Sequence, residues 1–210
     1  MKVSEKSLEL NIGAELLTLL RSGWGLQKAY LRGLTQEEEN REGVDFFVQL
    51  DPATRLFAFQ FKAPKGKYES TPYRYTLARD QHELLFDLAG TTPGSVYYVF
   101  PFYVTPVKLQ KDVPQLLGDT WVLSLDEMPP SSIFASYQSR TIRCEAETAS
   151  INPQYKLQKL SQVFRLPSRG IPVQAFASWY GRHFQQGSRS AAIRRNPWMV
   201  RGLRIAIVLP

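Results

Sequence analysis

The chain has 210 residues and a formal net charge of +7, and its 43% hydrophobic content suffices for one folded domain. The longest apolar run, residues 96–104, contains Pro101 and is shorter than the roughly 20 residues of a membrane-spanning helix. The amino terminus lacks an apolar signal-peptide core, and the single cysteine, Cys144, excludes an internal disulfide. We therefore expect a globular protein of the reducing cytoplasm without a membrane partner.

The excess positive charge lies at the end of the chain. Residues 1–150 contain 16 Lys/Arg and 19 Asp/Glu, whereas residues 151–210 contain 10 Lys/Arg and no acid. The two parts therefore have net charges of −3 and +10, which sum to the +7 of the chain. Such a one-sided segment attracts polyanions, because each neutralised phosphate releases counterions. We predict that Arg189, Arg194 and Arg195 contact nucleic-acid phosphates. A basic face that only aids solubility is the alternative.

Hydrophobic periodicity predicts a mixed α/β fold, with a central sheet flanked by helices. Expected helices lie at residues 7–20, 76–90, 153–164 and 173–186, and expected strands at 44–50, 55–62, 95–104, 120–129 and 202–209. Residues 35–43 form a charged connection. We divide the chain into a core at residues 1–150 and a basic extension at 151–210 that packs on the same domain.

Residues 43–66 predict a β-hairpin with one polar end. A four-residue loop at 51–54 pairs residues whose numbers sum to 105, which sets Asp45 opposite Gln60. Side chains alternate between the faces of a strand, so Lys62 shares the face of Gln60. The other face is expected to be apolar and to carry Phe46, Val48, Phe57, Phe59 and Phe61.

The polar end of this hairpin suits divalent-metal chemistry. Opposed side chains have Cβ atoms roughly 5 Å apart, so the Asp45 carboxylate and the Gln60 amide oxygen can share one ion. Mg²⁺ prefers hard oxygen ligands and is commonly held by one or two carboxylates with water and phosphate. Lys62 would place a cation beside that phosphate, where it orients water and offsets developing charge. The alternative is that all three residues are ordinary polar ends of strands.

These residues resemble the PD-(D/E)XK, or restriction-endonuclease-like, nuclease superfamily over about residues 7–104. "GVD" at 43–45 is followed, after fourteen residues, by "QFK" at 60–62, as in the Q-x-K branch of Mrr-like enzymes. The resemblance implies a restriction-endonuclease-like core within residues 1–150 and a bound Mg²⁺, with Mn²⁺ as the alternative. It also implies that Glu15 is an additional metal-directing acid, with Glu5 and Glu9 as rivals, and that Gln81 is an auxiliary site residue.

The favoured hypothesis is therefore a Mg²⁺-dependent endodeoxyribonuclease that hydrolyses DNA phosphodiester bonds in restriction, defence or repair. Its catalytic set would be Glu15, Asp45, Gln60 and Lys62, of which Asp45, Gln60 and Glu15 hold the metal. A second hypothesis is a nucleic-acid-binding or assembly protein that keeps the fold without cutting, since Gln60 replaces an acid and removes one negative charge from the ligands. A third is a plain interaction domain. A homodimer or a partner protein is left open.

Overall fold

The computed structural model describes residues 2–34, 44–49, 55–66, 69, 72–91, 94–128, 141–147, 150–152, 155–165 and 171–172. Its helices are α1 (Glu5–Thr18), which continues as a π-helical turn at Leu19–Gly23, α2 (Arg79–Thr91) and α3 (Pro106–Asp112). Its strands are β1 (Tyr30–Gly33), β2 (Phe46–Gln49), β3 (Arg55–Phe61), β4 (Tyr73–Ala78), β5 (Val96–Pro101), β6 (Thr120–Ser124), β7 (Thr141–Glu147), β8 (Ser150–Asn152), β9 (Tyr155–Lys156), β10 (Gln158–Lys159) and β11 (Ile171–Pro172). Short 3₁₀ helices lie at Leu116–Asp119, Leu125–Glu127 and Leu160–Arg165.

A mixed sheet with the strand order β1-β2-β3-β5-β6-β10 forms the centre of the molecule. β3 and β5 run parallel, whereas the other neighbouring strands run antiparallel. β11 adds an antiparallel pair at the start of β3, where Ile171 lies opposite Leu56. A second, antiparallel sheet has the order β4-β7-β8-β9. The predicted mixed α/β class with a mixed central sheet is confirmed.

The hairpin register predicted by the loop length is also confirmed. Phe46 lies opposite Phe59 and Val48 opposite Phe57, so each pair of numbers sums to 105. Phe57, Phe59 and Phe61 are at most 2% exposed and face α1. This alternation leaves Gln60 on the opposite face, toward α2.

α1 forms because its amino end is capped and one of its faces is apolar. The Ser4 hydroxyl accepts a hydrogen bond from Ser7 N at 3.0 Å, the usual N-cap contact. Leu8, Ile12 and Leu16 recur every four residues and are fully buried against the aromatic face of β3. α2 covers the other face of the central sheet, where Leu85 and Leu88 pack with residues of β4 and β5. No helix in these ranges is long and apolar enough to cross a membrane.

The expected helix at 153–164 is wrong. The chain forms β9 and β10 there, followed by the 3₁₀ helix Leu160–Arg165. Leu160 and Val163, which lie three residues apart in the 3₁₀ helix, are both buried, as its period of three residues per turn allows. β10 pairs with the outer edge of β6, so sheet pairing overrides local helix propensity.

Several other expectations fall on residues outside the described ranges. These are the charged connection at 35–43, the hairpin loop at 51–54, the helix at 173–186 and the strand at 202–209. β10 and β11 both lie beyond residue 150 and pair with β6 and β3, so the first part of the basic extension belongs to the central sheet.

Candidate functional site

The polar residues of the hairpin meet where β2 begins and β3 ends. Asp45 N donates to Phe59 O at 2.9 Å, which extends the ladder by one residue and sets Asp45 opposite Gln60. Lys62 N donates to Val99 O of β5 at 3.0 Å, so Lys62 is held by the parallel neighbour of its strand. Asp45, Gln60 and Lys62 are 7%, 2% and 8% exposed. Buried polar groups at strand ends are unusual unless they are hydrogen-bonded or functional.

A chain of side-chain hydrogen bonds joins these residues through α2. Lys62 Nζ donates to Gln81 Oε1 at 2.8 Å, and Gln81 Nε2 donates to Gln60 Oε1 at 2.8 Å. Gln60 Nε2 then donates to both carboxylate oxygens of Asp45, at 3.0 and 2.9 Å. Gln81 lies in the first turn of α2, so the helix start brings it over the end of β3. The structure thus brings together Asp45, Gln60, Lys62 and Gln81, the four predicted residues on these elements.

The Gln60 amide nitrogen is surrounded by oxygen atoms. Besides the two Asp45 oxygens it contacts the Phe61 carbonyl oxygen at 3.0 Å. The Phe61 N–H also donates to Asp45 Oδ2. Three protein oxygens therefore surround the Gln60 amide nitrogen, and hard divalent cations favour oxygen ligands of this kind.

α1 contributes two acids to this end of the sheet. Glu5 Oε2 accepts from Ala63 N at 2.9 Å, and Glu5 Oε1 lies 3.9 Å from Lys62 Nζ. Glu9, one helical turn further, is 7% exposed and accepts from Lys6 Nζ at 2.9 Å. Residues four apart share a helix face, so both acids lie on the side of α1 that faces Asp45.

Burial raises the pKa of Asp45 from 3.8 to about 7. The Phe61 N–H and the Lys62 ammonium act in the opposite direction and lower it, whereas the nearby Glu5 and Glu9 carboxylates raise it further. The raised pKa therefore comes mainly from burial, and two carboxylates near Asp45 add to it. A strongly perturbed group with specific charged neighbours is also common at functional sites.

Glu15 does not join this cluster. Its carboxylate accepts from Leu116 N at 2.8 Å and from Leu117 N at 3.2 Å, at the start of the 3₁₀ helix Leu116–Asp119. Glu15 is ten residues after Glu5, which rotates it about 80° around the helix axis and moves it about 15 Å along it. The two rivals of Glu15, Glu5 and Glu9, are the acids of α1 near Asp45. Their spacing of four residues indicates that they share one face of the helix, but it does not show that this face lies near Asp45.

Replacing Glu15 with alanine is expected to lower the free energy of unfolding by about 1–3 kcal/mol, because two backbone amides lose their acceptor. Urea denaturation measures this loss, and Glu15→Gln should recover part of it through its amide oxygen. Under the nuclease hypothesis, DNA cleavage per folded molecule should be unchanged, because Glu15 lies outside the cluster. A loss of cleavage with normal stability would instead assign Glu15 to the site.

The oxygen-containing side chains of the cluster fit a hard divalent cation, but the Gln60 amide points its nitrogen, and not its oxygen, toward Asp45. Asp45, Glu5 and Glu9 offer carboxylates, and Gln60 can offer an amide oxygen. In the structure Gln60 presents its nitrogen to Asp45, and a protonated amide nitrogen cannot bind a metal. Within the described ranges no three His, Cys, Asp or Glu residues are grouped closely enough to hold an ion. Rotation of the Gln60 amide by 180° would exchange its nitrogen and oxygen and present an oxygen ligand beside Asp45.

The predicted phosphate contacts Arg189, Arg194 and Arg195 lie outside the described residues. Comparison of the chain with protein-family models, with curated proteins and with solved structures finds no match.

Proposed function

We propose that the protein is a metal-dependent nuclease with a restriction-endonuclease-like core, and that it hydrolyses phosphodiester bonds in DNA. The observation that carries this proposal is the buried cluster at the end of β3. Asp45, Gln60 and Lys62 are adjacent there because of the hairpin register, and Gln81 bridges Gln60 to Lys62. The proposal is supported by an acid, an amide and a lysine on adjacent strand ends, since the family resemblance implies these three residue types there, although Glu15 lies apart from them.

Each residue has a role that follows from its chemistry. Asp45 and the Gln60 oxygen would hold Mg²⁺ or Mn²⁺, assisted by Glu5 and Glu9 from α1. When bound, such an ion supplies charge stabilisation at the phosphate and a more acidic water. The Lys62 ammonium lies at the edge of the same cluster. There it would orient the phosphate and offset the negative charge that develops in the transition state. Gln81 positions Lys62 through its amide oxygen.

The charge distribution supports DNA as the substrate. Residues 151–210 contain ten basic residues and no acid. Arg189, Arg194 and Arg195 belong to this segment and would bind the phosphate backbone, a contact that positions DNA without reading its sequence.

A second candidate function is nucleic-acid binding or assembly without catalysis. The orientation of Gln60 favours it, because both oxygens of Asp45 already accept hydrogen bonds from protein groups. A site closed in this way is stable without an ion, as expected for a nuclease fold that has lost its chemistry.

A cleavage assay separates the two functions. The purified protein is incubated with linear, circular and single-stranded DNA in Mg²⁺ or Mn²⁺. We expect cleavage that EDTA and Asp45→Ala both abolish, whereas Asp87→Ala, which removes an exposed acid of α2, leaves it unchanged. DNA binding without cleavage would support the second candidate. Cleavage that persists in Asp45→Ala would place the chemistry elsewhere.

A further inference from the structure

The hydrogen-bond chain from Lys62 to Asp45 has a fixed direction. A lysine ammonium only donates, so the Gln81 oxygen must face Lys62 and the Gln81 nitrogen must face Gln60. A backbone carbonyl only accepts, so the Gln60 nitrogen must face Phe61 O, which also directs it to the Asp45 carboxyl group on the same side. Lys62 at one end of the chain and Phe61 O at the other therefore require the same orientation of the two amides. In that orientation the hydrogen bonds from Lys62 to Gln81, from Gln81 to Gln60 and from Gln60 to Asp45 all form.

A single amide cannot turn alone in this chain. If Gln60 rotates so that its oxygen faces Asp45, its nitrogen faces the Gln81 nitrogen, and two donors oppose each other. Gln81 must then rotate too, which turns its nitrogen toward the Lys62 ammonium. Two donors meet again at that point, and the hydrogen bond between Lys62 and Gln81 is lost. The conflict passes along the chain because each amide has its donors at one end and its acceptor at the other, so turning one amide changes what it offers to both neighbours.

We propose that Gln60 and Gln81 form a two-state amide relay, in which turning the Gln60 oxygen toward a cation at Asp45 releases Lys62 from Gln81. This inference rests on the proposed metal site and adds a positioning role for Gln81. Without a cation, Gln81 holds Lys62 by a 2.8 Å hydrogen bond. With a cation, Lys62 stays beside Glu5, whose Oε1 lies 3.9 Å away, and its donors turn toward a bound phosphate. The lysine is therefore engaged with substrate only when the cation site is filled.

The relay predicts a concerted change in two side-chain amides. Titration of ¹⁵N-labelled protein with Mg²⁺ should shift the side-chain NH₂ signals of Gln60 and Gln81 together, with the same midpoint concentration. The NH₂ signal of Gln110, an exposed glutamine of α3, should not move and serves as the internal reference. Signals of Gln60 that shift while those of Gln81 stay fixed would overturn the relay.

Two substitutions at position 81 test the energetic coupling by calorimetry with Mg²⁺. Gln81→Met removes the partner that holds Gln60 in its present orientation, so we expect Mg²⁺ binding to tighten about fivefold or more. Gln81→Glu offers only acceptors, which turns the Gln60 nitrogen toward position 81 and its oxygen toward Asp45 in advance. Binding should tighten about tenfold or more beyond Gln110→Glu, which adds the same charge far from the site.

The outcomes separate the relay from the proposed function. Mg²⁺ binding that depends on Asp45 but is not tightened by either variant at position 81 would overturn the relay and leave the nuclease proposal standing. No Mg²⁺ binding and no cleavage by the wild type would overturn both. Backbone amide spectra of each variant show whether the fold is preserved, so a loss of binding through unfolding is recognised directly.

Discussion

Lys62→Met should lower the rate of DNA cleavage by about 10²–10⁴-fold while Mg²⁺ binding is retained or tightened. Methionine matches the length of the buried lysine stem but carries no charge and no donor, so it removes the cation from the phosphate without opening a cavity. Its loss also removes the donor that fixes the Gln81 amide, which frees Gln60 to turn its oxygen toward Asp45. Single-turnover cleavage and calorimetry measure the two effects separately.

Lys65→Met is the matched control for this variant. Lys65 lies three residues further along the chain and its side chain is exposed, so its removal changes the net charge equally but leaves the cluster intact. We expect at most a small, salt-dependent loss of DNA binding. Equal losses of cleavage in the two variants would mean that Lys62 contributes only general positive charge.

The stability of the metal-free protein should fall as the pH rises from about 4 to about 7. Asp45 has a pKa raised from 3.8 to about 7 in the folded protein, so within this window the folded state binds a proton that the unfolded state has lost. The stabilisation is complete below pH 4 and lost once the pH passes about 7, and it amounts to a few kcal/mol at most. Urea denaturation in EDTA-containing buffers across this range measures the slope.

Asp45→Ala identifies the part of the slope that belongs to this group. Glu5 and Glu9 from α1 and Lys62 after β3 also face the site, and they remain in the variant. The quantity to compare is therefore the difference in slope between the two proteins and not their absolute stability, since the substitution also removes the Asp45 oxygens as acceptors and leaves Gln60 only Phe61 O. Parallel stability curves would show that Asp45 is ionised over the whole range.

The hairpin was predictable from sequence because two independent rules agree there. The loop length determines which residues are opposite, and the alternation of Phe57, Phe59 and Phe61 determines which face is buried. Together they place Asp45 against Gln60 without any knowledge of the rest of the chain. α1 and α2 were located for a similar reason, since their apolar residues follow the helical period.

The second sheet and the strands after residue 150 were not predictable in this way. β10 has only two residues, and its strand conformation depends on the edge of β6 rather than on its own side chains. The same limit applies to Leu77: the apolar period predicts it in a helix, but it lies in β4, opposite Ile142. Pairings between residues far apart in sequence leave no local pattern.

The choice among the acids of α1 shows the same limit for the site. Helical periodicity places Glu15 at the edge of the apolar face but does not show which end of the helix lies near Asp45. That depends on how α1 crosses the sheet, and on the two backbone amides at Leu116 and Leu117 that bind Glu15, about 100 residues later in the chain.

The pairing of β11 with β3 determines where the chain can be shortened. At Arg55 and Leu56 the second neighbour of β3 is β11, because β5 begins to pair only at Ala58. A fragment that ends before Ile171 leaves this stretch of a central strand with one unpaired edge, which invites association with other chains. Variants that lack Arg189, Arg194 and Arg195 should therefore be truncated after Pro172, so that β3, the strand that carries Gln60, keeps both of its neighbouring strands.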